Sequence, residues 1–319
     1  VATYLLKRLG MTVIVVLAVM TFLSLLVHLV PGDPVEIVLG PQATPAQVEV
    51  VRAEMGLDNP IPIQVWDFVV GALQGDLGLD FLSRTPVTQL IAQAIPHTVV
   101  LAITALALAA LVGIPLGVYA ARRQNSLADR AMALLSIGFI TMPSYIAALL
   151  LLIVFAVQLD VLPAVGTGSF ANPLDYAIHL VLPASALAIT WIGYVARLVR
   201  TSMLSVLGSN YVRTSRAFGV RDRIIFYKWA LKNAIIPTLA VLSSGLADLL
   251  GGAVLVEIIF SRPGLGRLTV EAISERNFPV VQGAVLVIAL FYVLTNLLAD
   301  LSYRLVDPRI RVEESAVGA

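Results

Sequence analysis

Long uncharged runs alternate with short polar segments along this chain. Six runs have roughly the 20 apolar residues that a helix needs to cross about 30 Å of hydrocarbon. They are Leu9–Val30, Thr98–Ala121, Ala131–Leu159, Ile178–Ala196, Ala234–Val256 and Phe278–Ala299. Asp248, in the fifth run, is the one Asp, Glu, Lys or Arg within them. The pattern predicts an all-α polytopic membrane protein with about six transmembrane helices. Composition agrees: of 319 residues, 59% are hydrophobic and 13% charged, against about 25% charged in a soluble domain. Mean hydropathy is +0.92. Lys7 and Arg8 precede the first run as they would in a secretory leader. That run is longer than a leader's apolar core of about 7–15 residues, and Pro31-Gly32-Asp33-Pro34 follows it in place of a small-residue cleavage site. It is expected to be a retained span.

Basic residues orient the spans, because cytoplasmic loops carry the excess of Lys and Arg. With the N-terminus inside, 16 of the 21 basic residues fall on cytoplasmic segments. Five fall outside: Arg52, Arg84, Arg262, Arg267 and Arg276. Both termini are expected in the cytoplasm. The outer segment 31–96, between the first two helices, holds eight acidic and two basic residues. Thr44-Pro45-Ala46 reads as a helix start, with Pro at the first helical position, leading into a short helix Gln47–Met55; Pro62–Gly71 reads as another. The expected organisation is an N-terminal span (1–30), a small extracytoplasmic cap (31–96), a membrane core (97–306) and a short polar cytoplasmic tail (307–319).

Several chemistries are excluded. The chain has no cysteine, so it forms no disulfide, thiolate nucleophile or Cys-ligated metal site. His28, His97 and His179 are far apart in sequence, and no H-E-x-x-H occurs. A phosphate-binding P-loop requires Gly-Lys, and Lys7, Lys228 and Lys232 follow leucine, tyrosine and leucine.

The most basic stretch lies between the fourth and fifth spans. Within it, Tyr211-Val212-Arg213-Thr214-Ser215-Arg216-Ala217-Phe218-Gly219 reads as a short helix that Asn210 can cap and Gly219 can end in a left-handed turn. Tyr211, Val212, Ser215 and Phe218 form one apolar stripe, flanked by Arg213 and Arg216. Asp222 can cap a second helix running through Lys228 and Lys232 to Pro237. The result is a helix–turn–helix elbow, 210–237, at the cytoplasmic face. Charge alone makes it a topology signal and a contact for anionic headgroups; a Gly-terminated amphipathic helix is also a docking knob for a grooved partner. Periodicity leaves both readings open.

Arg213 to Gly219, with Pro237 eighteen residues beyond the glycine, resembles the coupling loop of ABC importer permeases, in particular the B-type subunit of the dipeptide, oligopeptide and nickel group. Where the wider superfamily has Glu-Ala-Ala this chain has Arg213-Thr214-Ser215, and where it has Leu-Pro this chain has Leu231-Lys232. Both departures fit the peptide group. Further similar elements follow in order: Pro31-Gly32-Asp33-Pro34, Gly75-Asp76-Leu77-Gly78 with Thr85-Pro86-Val87, Leu250 to Glu257 with Pro263-Gly264-Leu265-Gly266, and Asp300 to Tyr303 with Asp307-Pro308-Arg309.

The resemblance implies a type I ABC importer permease fold in the bacterial inner membrane. It implies as partners a homologous second permease subunit, two ATPase subunits or domains that bind ATP and Mg²⁺, and an extracytoplasmic substrate-binding protein, with membrane lipid around them and no nucleic acid. This chain would hold no cofactor and catalyse nothing. Residues 211–219 would be the ATPase-coupling helix, and 222–237 the lever into the fifth span. Glu257, Arg262 and Arg267, at the outer end of that span, are candidate binding-protein contacts, with solvated loop charges as the plainer reading. Asp248 either faces the translocation pathway and attracts a cationic group, or makes a structural hydrogen bond to Ser243, Ser244 or a neighbouring helix. A mid-span carboxylate costs about 2.5–3.5 kcal/mol and needs one or the other. Pro143 and Pro183 are expected to kink their spans, Gly251-Gly252 to allow close helix packing, and Asp300 and Arg304 to pair. The substrate class implied by the resemblance spans dipeptides, oligopeptides, glutathione, nickel chelates and some oligosaccharides. A secondary transporter or channel is the rival from another class, although no inverted repeat is visible; an intramembrane enzyme lacks the clustered acid–base groups it needs.

Overall fold

The computed structural model describes residues 2–29, 44–46, 49, 52, 58–169 and 171–306, with side chains left undescribed at 2–9, 26–29 and 300–306. The Pro31–Pro34 element, most of the helix expected over Gln47–Met55, and the tail 307–319 lie outside the described residues; Pro45 and Ala46 are helical. So do the His28 side chain and the Asp300–Arg304 pair. The described chain is almost entirely helical, and the one strand-like feature among those residues is an isolated bridge between Leu79 and Pro86.

Helix α1 spans Ala2–Leu29. Helix α2, Ile61–Leu73, realises the segment expected from Pro62 to Gly71. Among the described residues, four helices are long and apolar enough to cross a membrane: α3 (Val87–Arg122), α6 (Pro173–Leu207), α9 (Ile236–Ile259) and α11 (Phe278–Val306, apolar to Ala299). The expected third span is two helices, α4 (Leu127–Thr141) and α5 (Ser144–Leu151, continued by a π-helical segment Leu152–Gln158), which meet at 103°. Its continuity is the correction, and Pro143 is the reason. A proline cannot donate to the helix and drives the residue before it out of the helical region. Met142 is accordingly extended (φ −80°, ψ 116°), and Pro143 starts a fresh helix. The Met142 carbonyl is recovered by the Thr190 hydroxyl at 3.0 Å, the kind of side-chain rescue a broken membrane helix requires.

The chain divides into two compact units. The first holds Val1–Thr98 and Pro263–Val293. In it α1 and α2 pack Met20 against Val65 and Leu286, while the start of α3, helix α10 (Leu265–Ser274) and the start of α11 share a core around Val87, Ile91, Leu265 and Val280. Asp80 organises the loop before α3. Its carboxylate accepts from the Leu82 amide at 3.0 Å, the Ser83 amide at 3.3 Å, the Ser83 hydroxyl and the Asn277 side-chain amide. Burial pushes the Asp80 carboxyl up, but these four donors together hold it below the ordinary aspartate value.

The second unit holds Val99–Arg262 and Leu294–Ala319. Helix α6 is its centre. A Cβ on Gly117 of α3 would lie 2.5 Å from the Ala196 carbonyl oxygen, and one on Gly193 would lie 2.7 Å from that of Ser136 on α4, so α6 meets both neighbours backbone to backbone at these glycines. Gly113 and Gly117 are one helical turn apart, the small-residue spacing that lets membrane helices approach closely. Arg200 of α6 grips the buried Asp129 of α4 with both arms of its guanidinium, Nε to Oδ1 at 2.5 Å and Nη2 to Oδ2 at 2.7 Å. Asp129 also accepts from the Asn125 amide, so one carboxylate fixes the α3–α4 turn and the α4–α6 contact.

Candidate functional site

The elbow between α6 and α9 has the expected two limbs. Helix α7 (Asn210–Ala217) is the first. Its N-cap position belongs to Ser209 and not Asn210, and the Ser209 hydroxyl donates back to the Val206 carbonyl at 2.6 Å instead of capping. Its C-terminus ends as expected. Gly219 adopts φ +75°, the Gly219 amide bonds the Arg216 carbonyl at 2.9 Å, and the Val220 amide bonds that of Ser215 at 3.1 Å. This paired closure satisfies the last carbonyls and needs a residue that accepts positive φ.

The expected apolar stripe is corrected. Val212 is buried, whereas Tyr211 is 40% and Phe218 83% exposed. The short helix has one inward anchor and leaves Phe218 at its free end, uncovered by this chain. Arg213, Thr214, Arg216 and Ala217 are exposed, and Ser215 is half-buried.

The second limb, α8, comprises Asp222–Ile224, a π-helical segment Ile225–Ala230 and Leu231–Ala234. Arg221, not Asp222, takes its N-cap position. The Asp222 carboxylate instead accepts from Arg216 Nε at 2.9 Å across the Gly219 turn. Two further bonds tie the elbow to itself and to the membrane helices: Asn233 Nδ2 donates to the Tyr211 hydroxyl at 3.1 Å, and Arg122 at the end of α3 donates to the Tyr227 hydroxyl at 3.0 Å. Ala230 and Ala234 are buried against Val118, Ala121, Val199 and Met203 of α3 and α6. This second limb is therefore packed onto the membrane helices, and α9 continues from it with Pro237 in its first turn, where a missing amide costs no helical bond.

Two of the three candidates at and beyond the C-terminal end of α9 are placed differently from expectation. Glu257 and Arg262 are fully buried inside the chain; they are neither solvated loop charges nor available at its surface. Arg262 has a local reason to be there. Pro183, buried within α6, has no amide for the His179 carbonyl four residues earlier. Arg262 Nη1 points at that carbonyl at 3.4 Å, Nη2 donates to the Tyr176 hydroxyl at 3.0 Å, and the guanidinium lies 5.3 Å from the centre of the Tyr176 ring. Burial lowers the Arg262 pKa, opposed by Tyr176 and Glu257. Arg267 remains partly exposed and pairs with Glu271 at 2.6 Å.

Asp248 is exposed on α9, and its carboxylate has no hydrogen-bond partner among the described residues. The serines offered as structural partners are engaged elsewhere: Ser243 and Ser244 donate to the Leu239 and Val241 carbonyls of their own helix. Gly251, one turn on, faces open space, and Leu255, one further turn on, is half exposed. This α9 face is uncovered by its own chain. Among the described residues no group of three or more His, Asp or Glu is placed to hold a metal ion.

The chain matches the family model described as binding-protein-dependent transport system inner membrane component over residues 113–312, and the corresponding N-terminal component model over residues 1–102. It is 39% identical to the probable peptide ABC transporter permease protein y4tP of Sinorhizobium fredii, over 97% of this chain and 99% of that protein. It is 38% identical to the glutathione transport system permease protein GsiC of Pectobacterium atrosepticum, over 97% of this chain and 98% of that protein. In fold it is similar to the MetNI methionine ABC transporter in an inward-facing crystal form, with a TM-score of 0.57 at 18% identity, covering 69% of this chain and 97% of that one.

Proposed function

The chain belongs to the family of binding-protein-dependent transport inner membrane components, and from that premise we propose that it forms half of the translocation pathway of an ATP-driven importer of di- or oligopeptides. As a member of that family it is a multi-pass inner-membrane permease subunit of an ABC transporter. The observation that carries the reading is the elbow: an exposed helix ended by a left-handed glycine, joined to a lever packed against α3 and α6 and continuous with α9. In this reading both termini and the elbow are cytoplasmic. Two ATPase subunits hold ATP and Mg²⁺, the exposed α7 seats in a groove on one of them, and a homologous second permease completes the pathway. An extracytoplasmic binding protein delivers substrate.

ATP-driven closure of the ATPase pair pushes α7. Because α8 is packed and not hinged, the push reaches α9 as a tilt, and the pathway alternates between outward and inward access. The uncovered Asp248 face lines that pathway, where a carboxylate attracts the terminal ammonium of a peptide. The names of the peptide-permease relatives support the peptide class. Glutathione, favoured by the name of the Pectobacterium relative, is a tripeptide and falls within the same chemistry.

Affinity-tagged chain expressed with its neighbouring permease and ATPases should co-purify with both. In vesicles holding the complex and a matched binding protein, uptake of a labelled peptide should require ATP and be competed by peptides and not by sugars. Isolation of the chain free of ATPase, with ATP-independent uptake, would place it among secondary transporters. Asp248→Asn should lower uptake of cationic peptides more than of neutral ones; equal uptake of both would remove Asp248 from the pathway.

A further inference from the structure

We propose that the cleft between the ends of α3 and α6 and the elbow is a binding site for an anionic phospholipid of the inner leaflet. The inference rests on the proposed orientation, which puts this end of the bundle at the cytoplasmic surface. It goes beyond the permease reading in giving the elbow a second, lipid contact.

The cleft holds about 590 Å³. Its charged lining is Arg122, Arg216 and Arg223 against the single carboxylate of Asp222. Asp222 is already taken by Arg216. Arg122 spends one nitrogen on the Tyr227 hydroxyl and leaves the rest of its fork open, and Arg223 is exposed with no partner among the described residues. Two guanidinium groups therefore border the cleft without a counter-charge. A guanidinium fork matches the oxygens of a phosphate.

The uncharged lining points to a lipid as the source of that phosphate. Leu204 and Leu207 of α6, Ala121 of α3 and Phe226 of the lever supply apolar surface against which acyl chains can lie. Helix α7, the limb proposed to meet the ATPase, contributes Arg216 alone. Aromatic side chains mark the depth. Tyr119, Tyr227 and Trp229 are all partly exposed around this end of the bundle, and Arg123 lies 5.1 Å from the centre of the Tyr119 ring. Exposed Tyr and Trp beside Arg are the side chains of the membrane–water interface. Basic pockets between membrane helices on the cytoplasmic side are the usual seats of anionic headgroups.

Native mass spectrometry of the detergent-purified complex, titrated with phosphatidylglycerol or phosphatidylethanolamine, tests this. The wild type should retain phosphatidylglycerol in preference to phosphatidylethanolamine. Arg223→Gln, at an exposed position that cannot disturb packing, should weaken retention roughly fivefold, and the double variant with Arg122→Gln roughly 25-fold, as expected for cations at an anionic surface. Arg130→Gln, exposed but outside the cleft, should change nothing. Equal retention by wild type and double variant overturns the proposal. So does a double variant that keeps its lipid but loses the ATPase subunits, which would make the cleft a protein contact. Gln124→Cys in this cysteine-free chain separates the two levels of inference. Labelling from the cytoplasmic side alone, together with no lipid preference, sinks the lipid site and spares the orientation; labelling from the opposite side sinks both.

Discussion

Arg216 and Asp222 face each other across the Gly219 turn, with Nε 2.9 Å from the carboxylate oxygen. The pair joins the exposed limb of the elbow to the first residue of the lever, so the angle between limbs is held by an ion pair as well as by the turn. Both side chains are more than half exposed. Such a pair contributes about 0–1 kcal/mol, so its consequence is orientation and not stability. Arg216→Glu should leave thermal stability nearly unchanged while lowering the peptide transported per ATP hydrolysed. Adding Asp222→Arg should recover part of the loss. A large fall in melting temperature in the single variant would show that the pair is structural.

Gly219 sits at φ +75° with nothing within 4 Å of where a Cβ would stand. Strain, not space, is what a substitution meets there, and it amounts to about 1–2 kcal/mol for an ordinary L-residue. Gly219→Asn, a residue that tolerates this region, should keep transport coupled to ATP hydrolysis. Gly219→Val should uncouple it without loss of expression, measured as uptake against phosphate release in vesicles.

The Arg200–Asp129 pair should behave oppositely to the exposed one. Asp129 is buried, and removal of Arg200 leaves its charge without compensation, a change that costs about 3–5 kcal/mol in buried pairs. Since Arg200 is itself partly exposed, the lower end of that range applies. Arg200→Met should lower the melting temperature of the purified complex markedly, and adding Asp129→Leu should restore most of it. Equal melting of the single variant and wild type would mean that the pair carries no weight.

The hydrophobic pattern made most of the fold legible, because membrane helices must be both apolar and long. The elbow was legible too, since its turn depends on a residue type, glycine at 219, that local sequence displays. What escaped was long-range or compensatory. Asp129 and Arg200 are 71 residues apart, and no local spacing predicts their meeting. Arg262 read as a loop charge because nothing nearby in sequence reveals that Pro183, on another helix, leaves a carbonyl for it. The break at Pro143 read as a kink because a single proline in a long apolar run permits either outcome; what distinguishes them is Thr190, which recovers the Met142 carbonyl from outside. The close approach of α3 to α6 runs through Gly113 and Gly117, one turn apart, whereas close packing was expected at Gly251-Gly252, of which Gly251 faces open space.

Asp80 gives a pH prediction for the first unit. Its carboxyl lies below the ordinary aspartate value in the folded chain, so the folded state favours the ionised form. The resulting stabilisation is fully present above the unfolded value of about 3.9 and is lost as pH falls through the lower folded value. Hydrogen exchange in residues 76–86 should be the same at pH 7 and pH 5, after correction for intrinsic rates, and should rise in strongly acidic solution below pH 4. Asp80→Asn should show the raised exchange already at pH 7. Identical exchange in variant and wild type would remove Asp80 as the organiser of the loop.

The most direct test of the coupling role uses Phe218, the exposed apolar tip of α7. Phe218→Cys in this otherwise cysteine-free chain, assembled with its ATPase subunits carrying surface cysteines around their grooves, is treated with a short bifunctional thiol reagent with and without ATP. The account predicts a cross-link to an ATPase subunit whose yield changes with nucleotide, and none from Leu127→Cys, an exposed control elsewhere on the second unit. Absence of any ATPase cross-link from position 218, in a complex that still hydrolyses ATP and imports peptide, would contradict it.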